Sequence, residues 1–155
     1  MGTSPRVAIL LGSKSDEGHL KATTELLDRF GIDWELKVIS AHRQPDALHE
    51  YVLRADDGGT LVFIAAAGLS AALPGVIGSI SQRPVIGLPI PGGALNGIDA
   101  LLSMVQMPGG IPVATVGVGS NGSKNAAILA AQMIALTDPA VAQKLRVYRE
   151  ELRAG

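Results

Sequence analysis

Runs of apolar residues that lack a polar residue at every second position recur along this chain, and segments of helical character separate them. A strand with apolar residues on both faces has to be covered on both faces, which is the environment of a parallel sheet. Strands are predicted at 6–11, 33–40, 60–68, 84–90 and 111–119. Because they alternate with predicted helices, we expect an α/β fold: one domain over residues 1–155, with a doubly wound parallel sheet in three layers.

Residues that start and stop helices bound the segments between the strands. A helix over 15–31 is predicted to have Ser15 as its N-cap and Gly31 as its C-terminal stop. Pro45, at the favoured first helical position, begins a helix that ends at 58–59. Further helices are predicted at 96–105, 123–136 and 139–155, and 65–75 is interpreted as a loop of small residues.

One half of the chain is almost free of charge. From Gly58 to Gly122 the only charged residues are Arg83 and Asp99, and 14 of the 19 glycines fall there. An exposed apolar surface of that extent marks a binding partner, and another copy of the same chain is the commonest partner. We therefore expect this half to form a subunit interface, to surround a ligand, or to do both.

The overall composition limits the class of protein. Hydrophobic residues make up 47% of the 155 residues and charged residues 17%, with a net charge of −1. This balance argues against disorder and against a protein that binds nucleic acid by charge. The N-terminal apolar run, Val7 to Leu11, is too short for a signal peptide or a membrane span, so we expect a cytoplasmic protein without membrane contact. The chain has no cysteine and hence no disulfide or thiolate site.

Small or polar residues follow three of the predicted strands: "GSKSD" at 12–16, "SAHR" at 40–43 and "AAAGLSAALPG" at 65–75. Ligands of doubly wound sheets bind beyond the carboxyl ends of the strands, where these segments meet. The first segment offers hydroxyls and helix-end N–H groups to a phosphate. The second offers an imidazole, which exchanges protons near neutral pH, beside a permanent cation. The third lets a flat ligand approach the backbone closely.

Each of these segments also has a purely structural interpretation. Ser15 can cap a helix without a ligand, His42 can be a loop histidine bonded to backbone, and the small residues of 65–75 can serve helix–sheet packing. The convergence of the three segments favours the functional interpretation. His19 and His49 lie within predicted helices and are interpreted as surface or packing residues.

Other catalytic patterns do not fit. "GVGSNG" at 117–122 has the G-x-G-x-x-G spacing of a dinucleotide site, but it follows the last strand and not the first. The expected acidic residue about 20 positions later should end another strand, whereas here the chain runs through a predicted helix to Asp138, so nicotinamide binding is rejected. The sequence has no G-x-S-x-G, no H-E-x-x-H and no cluster of histidine and carboxylate at metal-ligand spacing. We therefore expect that any catalysis runs without a metal and is centred on one histidine.

In this order along the chain, "GSKSD", "SAHRQPD", "LPGV", "PVIGLPI", "LNGIDALLSMVQMPGGIPVATV" and "NAAILAAQMIAL" resemble the PurE family of purine biosynthesis, from Val7 to the last helix. The resemblance implies a flavodoxin-like subunit in a homo-octamer, with no cofactor. It also implies an enzyme that interconverts N5-carboxyaminoimidazole ribonucleotide and 4-carboxy-5-aminoimidazole ribonucleotide by removing and re-adding CO2. The implied partners are the small-molecule ribonucleotide, CO2 and other copies of the chain.

Position by position, the resemblance implies that His42 is the general acid/base. It implies that Ser13, Asp16 and Arg43 bind the substrate. By their chemistry, Ser13 and Arg43 can donate hydrogen bonds to the phosphate, and Asp16 can accept them from the ribose hydroxyls. The same motifs contribute the other residues expected to bind substrate: Gly12, Ser15, Ser40, Ala41, Ala67 and Gly68.

One loop departs from the family pattern. Class I members read Gly-Gly-Ala-Ala-His-Leu-Pro-Gly where this chain reads "GLSAALPG" at 68–75, so Ala72 replaces a histidine that class II members also lack. Class II members carry an arginine at the position of Leu69, and "MVQMPGGIPVATV" is the class I form. Three functions stay open: the mutase, a direct aminoimidazole ribonucleotide carboxylase that uses CO2, and a non-catalytic nucleotide-binding relative.

Overall fold

The structure, a computed structural model, describes residues 4–155. Five parallel strands form one sheet in the order β2-β1-β3-β4-β5. The strands are β1 Val7–Leu11, β2 Trp34–Val38, β3 Val62–Ala67, β4 Val85–Pro89 and β5 Ala114–Thr115. The helices are α1 Lys21–Phe30, α2 Pro45–Gly58, α3 Leu73–Ile80, α4 Ile98–Val105, α5 Ser120–Ile134 and α6 Pro139–Ala154. This strand order is that of flavodoxin-like folds, so the predicted doubly wound α/β class is confirmed.

Alternate residues of the central strands fill two cores, one on each face of the sheet. On one face Ile9, Ile64 and Leu88 pack among residues of α1, α5 and α6. On the other face Leu10 and Phe63 pack among residues of α2, α3 and α4. Every residue of β1, β3 and β4 is buried, which explains why these strands are apolar without alternation.

The first predicted helix is wrong in its first turns. Lys14–Leu20 forms a 3-10 helix, and α1 begins only at Lys21. The N-cap is Ser13 rather than Ser15, because the Ser13 hydroxyl accepts the backbone N–H of Ser15. Serine, aspartate and glycine in "SDEG" favour local hydrogen bonds and turns over the α-helix. The predicted stop at Gly31 is confirmed, with a left-handed φ of 70°.

Helix α3 was not predicted, because 65–75 was interpreted as a loop. Gly75 and Gly78 within Leu73–Ile80 are poor helix formers and hide the helical pattern. Their absent side chains make room for neighbours: a Cβ at Gly75 would lie 3.2 Å from the sulfur of Met107. The predicted loop therefore ends at Ala72. Close contacts with neighbouring side chains explain the small residues Gly75 and Gly78 of α3.

The predicted strands are too long at both edges of the sheet. β2 covers Trp34–Val38 rather than 33–40, and β5 covers Ala114–Thr115 rather than 111–119. An edge strand has a partner on one side only, so its ends leave the ladder more readily. Pro112 also lacks the N–H that a longer β5 would need.

Arg6 joins three segments at the amino ends of the strands. Its Nε donates to Asp33 Oδ1 at 2.6 Å, its Nη1 to Asp138 Oδ2 at 2.8 Å and its Nη2 to the carbonyl oxygen of Gly31 at 2.6 Å. Burial alone would raise the pKa of Asp33, but hydrogen bonds from Arg6 outweigh it and lower that pKa below 3.8. The backbone N–H of Val141, with Arg6, lowers the pKa of Asp138.

We expect Asp33→Asn to lower the melting temperature at neutral pH by no more than about 4 °C, since solvent limits an exposed ion pair to about 1 kcal/mol or less. A carboxyl whose folded pKa lies below its unfolded value contributes stability above the unfolded value and loses it as the pH falls through the folded value. The difference between the two proteins should therefore shrink below about pH 4. Thermal unfolding across this range measures it, with the exposed Asp57→Asn as matched control. A difference that stays constant with pH would contradict the ion-pair account.

Candidate active site

One cavity of about 640 Å³ lies beyond the carboxyl ends of β1, β2, β3 and β4. Its walls are the segments that follow these strands, together with the start of α3. In a sheet with this strand order, the point between β1 and β3 is where the order reverses and where ligands bind. Every residue predicted for catalysis or substrate binding lines this cavity: Gly12, Ser13, Ser15, Asp16, Ser40, Ala41, His42, Arg43, Ala67 and Gly68.

The wall after β1 presents two hydroxyls and a carboxylate. Ser15 Oγ donates to Asp16 Oδ1 at 3.1 Å and lies 2.8 Å from Ser13 Oγ. Because the single hydroxyl proton of Ser15 goes to Asp16, Ser13 is the donor between the two serines. The cluster is held in place by its own hydrogen bonds, and a carboxylate at its end suits the hydroxyl groups of a ligand.

The predicted anion site at an α-helix N-terminus is changed by the 3-10 helix at Lys14–Leu20. The 3-10 segment differs from an α-helix in its i→i+3 hydrogen bonds, and it runs directly into α1. Side chains of the cavity walls can add to the attraction that the N–H groups at this end offer a phosphate. The Arg43 guanidinium is the permanent cation among the residues that line the cavity.

The wall after β2 is a turn that holds Arg43 in place. The Ser40 hydroxyl accepts the backbone N–H of Arg43 at 3.3 Å, and the Ser40 carbonyl accepts the N–H of Gln44 at 2.9 Å. The Arg43 guanidinium crosses to the end of β1, where its Nη2 donates to the Gly12 carbonyl oxygen at 3.2 Å. This bond fixes the cation between two walls of the cavity.

His42 is exposed at the cavity, beside Arg43. Among residues 4–155, no protein group forms a hydrogen bond with its imidazole. His42 is therefore not the backbone-bonded loop histidine of the structural interpretation, and both ring nitrogens can meet a ligand. His19 and His49 are exposed and do not line the cavity.

The walls after β3 and β4 consist of small and apolar residues. A Cβ at Gly68 would lie 3.4 Å from the Ile90 carbonyl oxygen, so the two loops pass within van der Waals distance. Ala72 lines the cavity directly before α3. Sequence analysis missed Ile90 and Gly93 as lining residues. The position of this loop at the carboxyl end of β4, next to β3, is the signal that could have found them.

Residues 4–155 contain neither a metal-binding cluster of side chains nor a helix that could span a membrane. No three histidine, aspartate or glutamate side chains lie together as a metal ion would need. No helix in this part of the chain is both long and apolar enough to cross a bilayer.

The chain matches the family model described as AIR carboxylase over residues 6–154. It is 50% identical, over 149 residues, to the N5-carboxyaminoimidazole ribonucleotide mutase of Pyrococcus abyssi, which covers 96% of this chain and 84% of that protein. The protein of the same name from Thermotoga maritima is 48% identical over 149 residues, 96% of this chain and 86% of its own. The crystal structure of Treponema denticola PurE is similar with a TM-score of 0.87 and 32% identity, covering 96% of this chain and 91% of that chain.

Proposed function

The chain belongs to the AIR carboxylase family, and from this premise we propose that it is an N5-carboxyaminoimidazole ribonucleotide mutase of purine biosynthesis. The family match spans nearly the whole chain, which confirms the resemblance to the PurE family. The reaction is an isomerisation that converts N5-carboxyaminoimidazole ribonucleotide into 4-carboxy-5-aminoimidazole ribonucleotide. We extend this assignment to all of residues 1–155 as one domain that acts in the cytoplasm.

The observation that carries the proposal is that His42 lines the same cavity as a cation, a hydroxyl and a carboxylate. The imidazole of His42 lines the cavity without a hydrogen bond to any group of residues 4–155, and Arg43, Ser13 and Asp16 line the same cavity. A proton carrier, a cation and hydrogen-bonding side chains in one cavity suit a phosphorylated ribonucleotide whose base exchanges a proton.

Each side chain has a proposed role that follows from its chemistry. Arg43 binds the phosphate together with Ser13, whose hydroxyl proton turns from Ser15 to a phosphate oxygen when the ligand binds. Asp16 accepts hydrogen bonds from the ribose hydroxyls. Ser15 orients Asp16 through the 3.1 Å hydrogen bond, and Ser40 orients Arg43 through the 3.3 Å bond to its backbone. Gly12, Ala41, Ala67 and Gly68 supply the close walls around the base and CO2.

The proton count of the reaction closes with one acid/base group. The bond from N5 to the carboxyl carbon breaks, CO2 leaves, and N5 keeps the electron pair and takes a proton. C4 then attacks CO2, which leaves a carboxylate and a hydrogen on C4. Removal of that hydrogen as a proton restores the aromatic ring, so the net transfer is one proton from C4 to N5. His42 gives the first proton and takes the second, in a cavity that keeps water from the released CO2.

Direct carboxylation of aminoimidazole ribonucleotide by CO2 is the second candidate. Ala72 favours it, because class II members of the family also lack the histidine at this position. An enzyme of this kind would be a lyase instead of an isomerase. Leu69, in place of the class II arginine, argues against it. The third candidate, a binding protein without catalysis, does not need a free histidine beside the phosphate-binding arginine.

We propose that copies of the chain associate, as an octamer, through α4 and the residue stretch before it. Leu95, Ile98, Leu102 and Val105 are between 52% and 59% exposed. The last three share one face of α4, since they follow the spacing i, i+4, i+7. A contiguous apolar stripe of this kind marks a protein interface. Light scattering that gives the mass of one 16.0 kDa chain would contradict this proposal.

The assignment is tested with purified protein and N5-carboxyaminoimidazole ribonucleotide. Product formation and equilibrium binding of the ribonucleotide are measured side by side. Binding with turnover supports an enzyme, and binding without turnover under any carboxyl source supports the non-catalytic relative. If the protein neither binds nor converts the ribonucleotide, the substrate assignment is wrong.

A further inference from the structure

Leu69 has a backbone conformation that leucine rarely adopts. Its φ is 54°, in the left-handed region where a Cβ crowds the neighbouring carbonyl. Asn96 is the other non-glycine residue with positive φ among residues 4–155, and asparagine tolerates this region. Strain of this kind persists where surrounding structure imposes it, and it gathers at ligand sites.

The Leu69 side chain lies at the cavity, between the loops after β3 and β4. It is 58% exposed and lines the cavity wall after β3. Its Cδ2 occupies the space beside Gly93, where a Cβ would come within 2.6 Å of it. Gly93 belongs to the loop after β4 and has a φ of 64° itself. Leu69 therefore bridges two loops at the cavity.

Neither folding nor solubility explains a leucine at this position. An exposed side chain contributes little apolar burial, and glycine would remove the strain at position 69. Within 68–72, Leu69 is the one large apolar side chain, since Ala71 and Ala72 carry only methyl groups. Leu69 therefore supplies most of the apolar bulk that this loop presents to the cavity.

We propose that Leu69 is a specificity-determining residue that retains the carboxyl group within the cavity during its transfer. Its side chain keeps CO2, once released from N5, close to C4, and it keeps water and bicarbonate out. The inference rests on the proposed mutase function and deepens it. According to this inference, one side chain determines whether the product keeps the carboxyl group of the substrate or gains one from CO2 or bicarbonate in solution.

The experiment uses N5-carboxyaminoimidazole ribonucleotide with carbon-13 in its carboxyl group, in buffer with unlabelled bicarbonate. Mass spectrometry measures the fraction of product that has lost the label. Leu69→Ala and Leu69→Gly should both raise this fraction relative to the unmodified protein, by roughly tenfold, which corresponds to about 1.4 kcal/mol. Leu152→Ala, an exposed leucine of α6 far from the cavity walls, should leave it unchanged.

The melting temperatures of the two variants distinguish the effect of losing the Leu69 side chain from the effect of relieving the backbone strain. Leu69→Gly relieves the strain and should melt higher than Leu69→Ala, which keeps it. Equal label loss in the unmodified protein and in both variants would overturn the inference and leave the mutase assignment intact. A protein that makes no product from the labelled substrate would overturn the proposed function, and the inference with it. A lower melting temperature of both variants with unchanged label loss would assign Leu69 a structural role and also overturn the inference.

Discussion

His42→Asn should lower turnover by about 100-fold to 10,000-fold while leaving ribonucleotide affinity nearly unchanged. Asparagine is similar in size to histidine and still forms hydrogen bonds, but it cannot carry a proton from C4 to N5. The phosphate and ribose contacts proposed for Arg43, Ser13 and Asp16 stay in place, because no hydrogen bond from His42 supports them. Initial rates and calorimetric binding measure the two effects separately.

The matched control for this change is His49→Asn. His49 is an exposed histidine of α2 that does not line the cavity, so its replacement should leave the rate unchanged. Loss of affinity in His42→Asn equal to the loss of rate would show that His42 binds substrate without transferring protons. An unchanged rate would remove His42 from the mechanism.

Gly122→Ala should prevent the native fold or lower the melting temperature by more than about 8 °C. A Cβ on Gly122, in the first turn of α5, would lie 1.6 Å from the carbonyl oxygen of Gly117 and 3.1 Å from Leu88 Cδ1. The first contact is with backbone, which cannot move aside as a flexible side chain can, so α5 would have to shift away from the sheet. That shift would open the core that α5 shares with α1.

Gly117→Ala is the matched control, because it adds a methyl group on the other side of the same contact. A Cβ at Gly117 meets no atom within 4 Å, so this variant should melt within about 2 °C of the unmodified protein. Thermal unfolding and the yield of folded protein report both results. Equal stability of Gly122→Ala and Gly117→Ala would contradict the packing account.

The close approach at Gly122 also explains the G-x-G-x-x-G spacing of "GVGSNG", which sequence analysis had rejected as a dinucleotide site. The third glycine allows a helix to pack closely on the end of a strand, and that need is independent of any nucleotide. This spacing of glycines thus indicates close packing of a helix on a strand. Whether a nucleotide binds there depends on the position of the strand in the sheet.

Fold class and site position could be predicted because both follow from a parallel sheet whose strands are buried on both faces. Apolar strands buried on both faces indicate a parallel sheet, and the carboxyl ends of its strands gather "GSKSD", "SAHR" and the loop after β3 in one cavity. The residues predicted from these three segments all line it, although their roles remain proposals.

Details that depend on tertiary packing could not be predicted. Gly75 and Gly78 conceal α3, since their cost in helix propensity is offset by packing against Met107 and Ile111. The 3-10 helix after Ser13 and the positive φ of Leu69 likewise have no periodic sequence signal. At such positions, contacts between distant segments of the chain determine the backbone conformation, and local propensity does not.

The central claim is that the carboxyl group arrives on the substrate. The most direct measurement is the rate of 4-carboxy-5-aminoimidazole ribonucleotide formation in two parallel reactions. One contains N5-carboxyaminoimidazole ribonucleotide in CO2-depleted buffer, and the other contains aminoimidazole ribonucleotide with excess bicarbonate. Our account predicts fast conversion in the first reaction and little in the second, which would mean that a mutase tolerates alanine at position 72. Fast conversion in the second reaction alone would contradict it and identify a direct carboxylase.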